Sequence, residues 1–173
     1  MLDFSTVLCY NIVKKKREVK KMKKEKAIYF DMDGTIANLY LVENWLPLLR
    51  ASNPAPYEQA KVMVNMSYLA RLLNRLQEQG YYIGIVSWLS KNSTDDYDKA
   101  VKKAKRKWLE THLPSVWFDE IRIVKYGTPK SQVIDFPQGI LFDDEEPNRN
   151  EWKGQAYDEK NILEILKNLV KNA

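Results

Sequence analysis

The alternation of short apolar runs with longer helical stretches constrains the fold of this chain most strongly. Four short runs rich in β-branched and aromatic residues predict strands: 27–30, 82–86, 121–124 and 140–142. The first, second and fourth are almost continuously apolar, which is typical of strands covered on both faces. Residues 154–157 resemble a fifth, weaker strand.

The stretches between these runs have the period of helices. Helices are predicted over 57–79, 95–111 and about 159–171. The first of them carries an apolar stripe at alternating spacings of four and three residues: Val62, Met66, Leu69, Leu73 and Leu76. Strands separated by helices imply right-handed crossovers and a parallel sheet. We therefore predict an α/β fold, a Rossmann-like three-layer α/β/α arrangement.

Local signals mark several helix ends. In the second helix, Val101, Ala104 and Trp108 share one face. Ser93, followed by Asp96 three residues later, resembles a capping box at the start of that helix. Thr128–Pro129 predicts an N-cap and the first residue of a further short helix.

The segment between the first and second strands is too long for a single crossover helix. It spans roughly residues 35–80, so we expect a small helical cap inserted at about 37–75. The loop 53–56 contains two prolines and predicts a joint between two helices of this cap.

Three of the four clear strands run directly into polar residues. Asp31 and Asp33 follow the first strand, Ser87 ends the second, and the acidic run 143–146 follows the fourth. Active sites in parallel sheets lie at the carboxyl ends of the strands, so these side chains should meet at one edge. Lys130, which precedes the fourth strand, could reach the same place.

The residue types in this cluster indicate which chemistry it could support. Carboxylates gathered together repel one another unless a cation offsets them, and an all-oxygen ligand set suits Mg²⁺. A neighbouring lysine and hydroxyl would bind the oxygens of a phosphoryl group. One carboxylate can be a nucleophile that forms an aspartyl-phosphate, and a second can transfer protons.

Each feature alone has an ordinary structural explanation. An Asp-x-Asp-Gly sequence often forms a turn, and a serine often ends a strand. Lys130 alone would be a solvated lysine, and the acids at 143–146 would favour a helix N-terminus. The ordinary explanations would have to coincide at three strand ends in this order. Because such a coincidence is improbable, the pattern favours the functional interpretation.

These residues resemble the motifs of the haloacid dehalogenase-like (HAD) superfamily of hydrolases. The run 27–35 resembles the first motif, 85–87 the second, Lys130 the third and 141–144 the fourth. The order agrees, and the resemblance covers roughly residues 26–171.

The resemblance implies a role for each acid. Asp31 would be the nucleophile and a metal ligand, and Asp33 the general acid and base, with its backbone carbonyl on the metal. Asp143 would be a metal ligand, and Asp144 a second ligand or its support. Glu145 is an alternative to Asp144 in that supporting role. The implied cofactor is Mg²⁺.

The phosphate-binding residues follow from the same resemblance. Ser87 and Lys130 would hold the phosphoryl oxygens, with Gly34 and Thr35 beside them. Lys125 is a rival for the lysine role, but it ends a strand-like run, which favours Lys130.

An acid two residues after the nucleophile is similar to phosphatases and phosphomutases of this superfamily. The short cap, and Asn148 after the acidic run, resemble the 5′-nucleotidase and 5′(3′)-deoxyribonucleotidase branch. The expected partner is thus a small phosphorylated substrate, with a deoxynucleoside monophosphate as the leading prediction. A phosphotransferase or mutase using the same site remains an alternative.

Residues of the cap and of the second motif are candidates for substrate contacts: Asn38, Tyr40, Trp45, Tyr68 and Trp88. An aromatic side chain near a phosphate site could stack on a nucleobase. The alternative is that these aromatics only pack the cap against the core. Asn38 and Trp88–Leu89 also depart from the pattern of the nucleotidase branch.

The basic character of the chain is concentrated at its front. The formal net charge is +5, and residues 1–26 hold nine of the 28 basic and three of the 23 acidic residues. Residues 1–25 predict a disordered basic extension, since like charges repel and extend. Nucleic-acid binding by this extension is the non-enzymatic alternative. Met22 is a candidate natural start.

Several classes of protein are excluded or disfavoured. The single cysteine, Cys9, cannot form an internal disulfide, and the single histidine, His112, excludes a multi-histidine zinc site. No apolar run approaches the roughly 18 residues that a membrane span requires. The front segment lacks the order of a signal peptide, so a cytoplasmic location is expected.

Overall fold

The computed structural model describes residues 26–91 and 94–172. The predicted basic extension at 1–25, the candidate start at Met22 and the predicted cap residue Ser93 lie outside the described residues. No helix within the described ranges is long and apolar enough to cross a membrane.

Strands and helices alternate along the described chain. The strands are β1 (Ala27–Phe30), β2 (Ala37–Asn38), β3 (Lys61–Val62), β4 (Tyr82–Trp88), β5 (Glu120–Val124), β6 (Ile140–Phe142) and β7 (Ala156–Tyr157). The α-helices are α1 (Trp45–Arg50), α2 (Ala55–Gln59), α3 (Met66–Glu78), α4 (Asp95–His112), α5 (Glu146–Asn150) and α6 (Ile162–Asn172). Short 3₁₀ helices occupy Leu39–Leu41, Lys130–Gln132 and Glu159–Asn161.

A parallel sheet of five strands, in the order β5-β4-β1-β6-β7, forms the centre of the molecule. In β1, Ile28 pairs with Ile83 on one side and with Ile140 on the other. The predicted Rossmann-like α/β fold is confirmed. The chain moves outward from β1 to β5 and then returns to β6, so β1 lies where the strand order reverses. Ligand sites of open α/β sheets form at this point.

Right-handed crossovers explain how the two faces of the sheet are covered. On one face, β1 contributes Ile28 and Phe30 to a core shared with α3, α4 and α6. On the other face, Tyr29 packs in a cluster with Trp152, and Phe136 joins it from the return connection. All four residues of β1 are buried, which accounts for its continuous apolarity.

The predicted helix over 57–79 is wrong in its first half. The chain instead forms α2 and then β3, whose Val62 pairs antiparallel with Ala37 of β2. Helix α3 starts only after Asn65, whose side chain accepts a hydrogen bond from the Tyr68 backbone N–H at 3.0 Å. Val62 therefore lies outside the stripe and is 41% exposed. A two-residue strand is too short to change the apolar period of the sequence.

Two other helix starts differ from the prediction. Helix α4 is capped by Thr94, which accepts a hydrogen bond from the Tyr97 backbone N–H at 3.3 Å. At the second site a 3₁₀ helix replaces the predicted helix, and Pro129 occupies its cap position. The Thr128 carbonyl is engaged elsewhere, because it accepts a hydrogen bond from the Trp88 indole at 2.8 Å.

The insertion consists of β2, the first 3₁₀ helix, α1, α2 and β3. It is anchored on α4: Tyr57 packs in one cluster with Val101, and the Tyr97 hydroxyl donates to the Asn53 carbonyl at 3.1 Å. Helix α3 belongs to the main core through its buried leucines. The bounds of the cap at about 37–75 stay a prediction, although helix α3 within them packs with the main core.

Candidate active site

Two backbone ladders place acids at the centre of the sheet edge. The Asp31 N–H donates to the Phe142 carbonyl at 2.9 Å, and the Asp143 N–H donates to the Tyr157 carbonyl at 3.1 Å. Each acid thus continues the hydrogen bonding of the strand before it. Asp31 is 6% exposed and Asp143 is fully buried, so both carboxylates are fixed away from bulk water.

Lys130 is the cation between these two acids. Its Nζ lies 2.9 Å from Asp31 Oδ1 and 2.5 Å from Asp143 Oδ2. Burial lowers the pKa of Lys130, but the two carboxylates outweigh that effect and raise the pKa above its usual value. Lys125, the rival in the sequence, is more than half exposed and pairs with Asp98. The structure therefore brings Lys130, and not Lys125, to the acids.

Helix α5 and the turn before it hold Asp143 in place. The Asn148 side-chain amide donates to both Asp143 carboxylate oxygens, at 3.1 and 3.3 Å. The Glu145 N–H donates to Asp143 Oδ1 at 3.0 Å. The Arg149 guanidinium donates to the backbone carbonyls of Asp143 and Asp144 at 2.8 and 2.7 Å. These polar contacts fix the orientation of the Asp143 carboxylate and of the backbone at residues 143 and 144.

Asp144 is supported by the loop that follows β1. The Thr35 hydroxyl donates to Asp144 Oδ1 at 3.2 Å and accepts from the Asp144 N–H at 3.1 Å. Gly34 has a φ of 80°, and a Cβ there would lie 2.2 Å from Asp144 Oδ2. Gly34 and Thr35 thus lie against Asp144, and their predicted contact with phosphate stays a prediction.

The three acids Asp31, Asp143 and Asp144 fit a divalent cation. Each offers an oxygen within 4.8 Å of the other two. Asp31 Oδ1 is buried without a hydrogen bond, although the Lys130 ammonium is an ion-pair neighbour at 2.9 Å. An oxygen with spare lone pairs in an all-carboxylate set is suited to Mg²⁺.

Burial and mutual repulsion raise the pKa values of two of these acids. Burial, together with repulsion from Asp31, raises the pKa of Asp143 to about 6. Burial, with repulsion from Asp31 and Asp143, raises the pKa of Asp144 to about 7. A divalent cation among these oxygens would lower both pKa values, because it favours the charged form.

A second buried lysine, Lys105 of α4, meets the remaining motif residues. Its Nζ donates to Asp33 Oδ2 at 2.6 Å, to Ser87 Oγ at 2.8 Å and to the Trp88 carbonyl at 2.7 Å. Burial and the charge of Asp31 raise the pKa of Asp33, while Lys105 opposes that rise. The Asp33 carboxylate is thus directed to Lys105, outside the set of three acids; a metal contact through its backbone carbonyl stays a prediction.

Sequence reasoning missed Lys105, although a signal was present. Position 105 directly follows Ala104 and precedes Trp108 by three residues, so it lies on the buried stripe of α4. The other lysines of this helix are exposed: Lys99, Lys102, Lys103 and Lys107. A single lysine on an apolar helix face indicates a buried partner.

A cavity of about 530 Å³ opens above Asp31, Asp33 and Lys130. Three of the predicted substrate residues line it: Tyr40, Trp45 and Trp88. The rings of Tyr40 and Trp45 meet edge to face with their centroids 5.2 Å apart.

Two further aromatic residues, which lie outside the insertion, also line the cavity. The rings of Trp88 and Tyr126 have their centroids 4.9 Å apart, and both line the cavity. Asn38 lies in β2 and is not among the lining residues. Tyr68 is also outside the cavity, on α3, where its ring faces the Arg71 guanidinium at 5.4 Å. The prediction that Asn38 and Tyr68 line the substrate site is therefore not supported.

Neither a protein-family model nor a curated protein matches the sequence. Among solved structures, the chain is similar to D,D-heptose 1,7-bisphosphate phosphatase from Burkholderia thailandensis, with a TM-score of 0.54. The two share 10% sequence identity over 84% of this chain and 99% of the other. This chain has a HAD-like fold. At this identity the likeness establishes the fold alone, and the nucleotidase branch stays a prediction.

The HAD-like fold explains why the four sequence motifs meet. Asp31 and Asp33 follow the central strand β1, and Ser87 lies in β4 beside it. Asp143 follows β6 on the other side of β1, and Lys130 comes from the connection that leads to β6. The four motifs are therefore neighbours at one edge of the sheet, as their positions after the strands predict.

Proposed function

We propose that this protein is a Mg²⁺-dependent phosphomonoester hydrolase that forms an aspartyl-phosphate on Asp31. The observation that carries the proposal is the placement of Asp31, Asp33 and Lys130 together at the floor of one cavity. Asp31 is buried and shares Lys130 with Asp143, while the Asp33 side chain pairs with Lys105 and is 19% exposed. The two carboxyl groups therefore have different surroundings, as separate roles require.

In the first step, an Asp31 carboxylate oxygen attacks phosphorus, and the bond from phosphorus to the ester oxygen breaks. Asp33, as the carboxylic acid, donates its proton to that ester oxygen, which leaves as the alcohol. In the second step, Asp33 as the carboxylate takes a proton from water, and the resulting hydroxide attacks phosphorus. The bond from phosphorus to the Asp31 oxygen breaks, inorganic phosphate leaves, Asp31 is again a carboxylate, and Asp33 holds the proton taken from water.

Charge at the phosphoryl group is the main requirement of this reaction. Lys130 would bind a phosphoryl oxygen and offset the charge of Asp31, and Ser87 would hold another oxygen. Asp31, Asp143 and Asp144 would hold Mg²⁺, which when bound supplies further positive charge to the phosphoryl oxygens.

For the substrate we propose a (deoxy)nucleoside monophosphate. The cavity above the acids is lined by two aromatic pairs, Tyr40 with Trp45 and Trp88 with Tyr126. Flat aromatic walls favour a planar leaving group such as a nucleobase, which gains from stacking. Sugar phosphates lack such a plane, so they are the informative competitors.

Phosphate release from nucleoside monophosphates, sugar phosphates and phosphorylated cofactors tests the proposal. We expect release that stops with EDTA, returns with added Mg²⁺ and is absent in Asp31→Asn. Wild-type turnover by Asp31→Asn would exclude Asp31 as the nucleophile. Transfer of phosphate to an acceptor alcohol, instead of release, would assign a phosphotransferase to the same site.

A further inference from the structure

Lys105 contacts Asp33 and Ser87, but the proposed chemistry gives it no task. It is 1% exposed although it lies on α4, a helix with many solvent-exposed lysines. Burial of an ammonium ion is strongly unfavourable unless a paired charge and hydrogen bonds offset the loss of hydration. A lysine in this position is therefore informative about what it contacts.

The three donors of the Lys105 ammonium all have partners within 2.8 Å: Asp33 Oδ2, Ser87 Oγ and the Trp88 carbonyl. An ammonium ion has three N–H bonds and no acceptor, so these contacts complete its hydrogen bonding. The Tyr57 ring lies 5.0 Å from the same Nζ and covers it on the side of the insertion. Lys105 is thus held at a fixed point between three elements.

Lys105 and Lys130 divide the acids of the site between them. Lys130 pairs with Asp31 and Asp143, whereas Lys105 pairs with Asp33. The Lys105 contact engages Asp33 Oδ2, so Oδ1 is the oxygen that remains for proton transfer. Without that contact, the Asp33 side chain at the cavity edge would have further rotamers available.

We propose that Lys105 is a positioning residue, which fixes the Asp33 carboxyl group for proton transfer to the leaving oxygen. The proposal rests on the proposed phosphatase function. Lys105 acts through Asp33 and does not touch the transferred phosphoryl group. Because it also contacts Ser87, it sets the distance between the acid and the strand end that binds phosphate.

The leaving group of the substrate separates this role from direct phosphate binding. An alkyl phosphate needs a proton on its departing oxygen, whereas 4-nitrophenolate leaves without one. Loss of acid positioning therefore lowers kcat/KM for alkyl phosphates selectively. Loss of a phosphoryl contact would lower kcat/KM for both substrates alike.

The test compares Lys105→Met with Lys103→Met, an exposed lysine on the same helix. We expect Lys105→Met to lose about 100-fold in kcat/KM on an alkyl phosphate and no more than about fivefold on 4-nitrophenyl phosphate. Lys103→Met should match the wild type on both. Equal losses on the two substrates, or no loss, would overturn the proposal.

A double variant tests whether Lys105 acts through Asp33. If it does, adding Lys105→Met to Asp33→Asn causes no further loss on the alkyl phosphate. A further loss as large as that of the single variant would contradict the proposal. Should Lys105→Met not fold, Lys105→Leu, which also cannot donate a hydrogen bond, replaces it in both comparisons. Failure of both variants to fold would assign Lys105 to stability and overturn the proposal.

Asp31→Asn separates failure of this proposal from failure of the function. If the wild type releases no phosphate, or Asp31→Asn remains active, the phosphatase function itself is wrong. If Asp31→Asn is inactive and Lys105→Met lowers kcat/KM equally for both substrates, only the role of Lys105 is wrong.

Discussion

The floor of the cavity and its wall from the insertion are formed by different kinds of side chain. The floor consists of charged side chains fixed by the strand ends, and Asp31 and Asp143 there are almost completely buried. The wall from the insertion consists mainly of aromatic and aliphatic side chains, with Arg50 as a charged residue, and Tyr40 on it is 43% exposed. The floor can stabilise charge that develops during a reaction, whereas the wall can only contact the rest of a substrate.

This difference predicts a division in the kinetics. Changes in the floor should lower kcat, because its charges act on the reacting group. Changes in the wall should raise KM and leave kcat almost unchanged, because its contacts are the same in the bound substrate and in the transition state.

Lys130→Met should produce the largest effect. It leaves Asp31 and Asp143 without their shared cation, so we expect kcat to fall about 100- to 1,000-fold. Stability should fall by about 3 kcal/mol at pH 8, because two buried carboxylates lose their partner. Urea unfolding measures this change in the free energy of unfolding. Lys107→Met, which breaks a mostly exposed pair with Glu58, should cost less than about 1 kcal/mol. Equal costs for the two variants would contradict the assignment of Lys130.

Gly34→Ala should disturb the metal site next most strongly. The added methyl group would lie 2.2 Å from Asp144 Oδ2, so Asp144 must move. We expect the Mg²⁺ concentration for half-maximal activity to rise about 10- to 100-fold. Gly80→Ala is a matched control, since Gly80 has a φ of 89° with nothing within 4 Å of the added Cβ. An unchanged Mg²⁺ requirement in Gly34→Ala would show that Asp144 does not support the metal.

Trp45→Ala tests the aromatic wall. We expect KM for a nucleoside monophosphate to rise about fivefold while kcat stays within a factor of two, from the loss of stacking. Leu41→Ala is the control, because Leu41 is 78% exposed and does not line the cavity. The KM for a sugar phosphate should change little in either variant. Equal increases for both substrate classes would argue against a nucleobase at this wall.

Stabilisation by Mg²⁺ should depend on pH. The pKa values of Asp143 and Asp144, about 6 and 7, exceed those of unfolded aspartates near 4. Between pH 4 and 7 the metal-free folded protein therefore holds more protons than the unfolded chain, and its stability falls as pH rises. Mg²⁺ must displace these protons, so its effect on Tm, a few degrees, should be larger at pH 8 than at pH 5. A larger effect at pH 5 would contradict this ligand set.

The floor was the more predictable side of the cavity. Asp31 and Asp143 directly follow short apolar strands, and Ser87 lies near the end of another. In a parallel sheet the ends of these strands lie at the same edge, so the sequence predicts where all three residues lie. The direction of the polar contacts was harder to predict: the sequence did not indicate that the Thr35 hydroxyl contacts Asp144. Which of two neighbouring polar groups a hydroxyl contacts depends on the turn geometry, and the residue types alone do not determine that geometry.

The insertion was the less predictable side. Its two-residue strands β2 and β3 leave no period in the sequence, so Val62 extended the apparent stripe of α3 toward the N-terminus. Tyr68 consequently seemed to belong to the insertion, although it lies on a helix of the main core. Lys105 could have been predicted, since it is a charged residue on the apolar face of α4. The contacts of that lysine, however, could be identified only from the structure.

The central claim, nucleophilic attack by Asp31, is tested most directly by trapping the phosphorylated enzyme. The protein is mixed with substrate and Mg²⁺, quenched within one turnover, and reduced with borohydride, which converts an acyl phosphate to an alcohol. Tandem mass spectrometry then locates the reduced side chain. We predict homoserine at position 31 and nowhere else, and none in Asp31→Asn. Homoserine at another aspartate, or turnover without any reduced residue, would contradict the account.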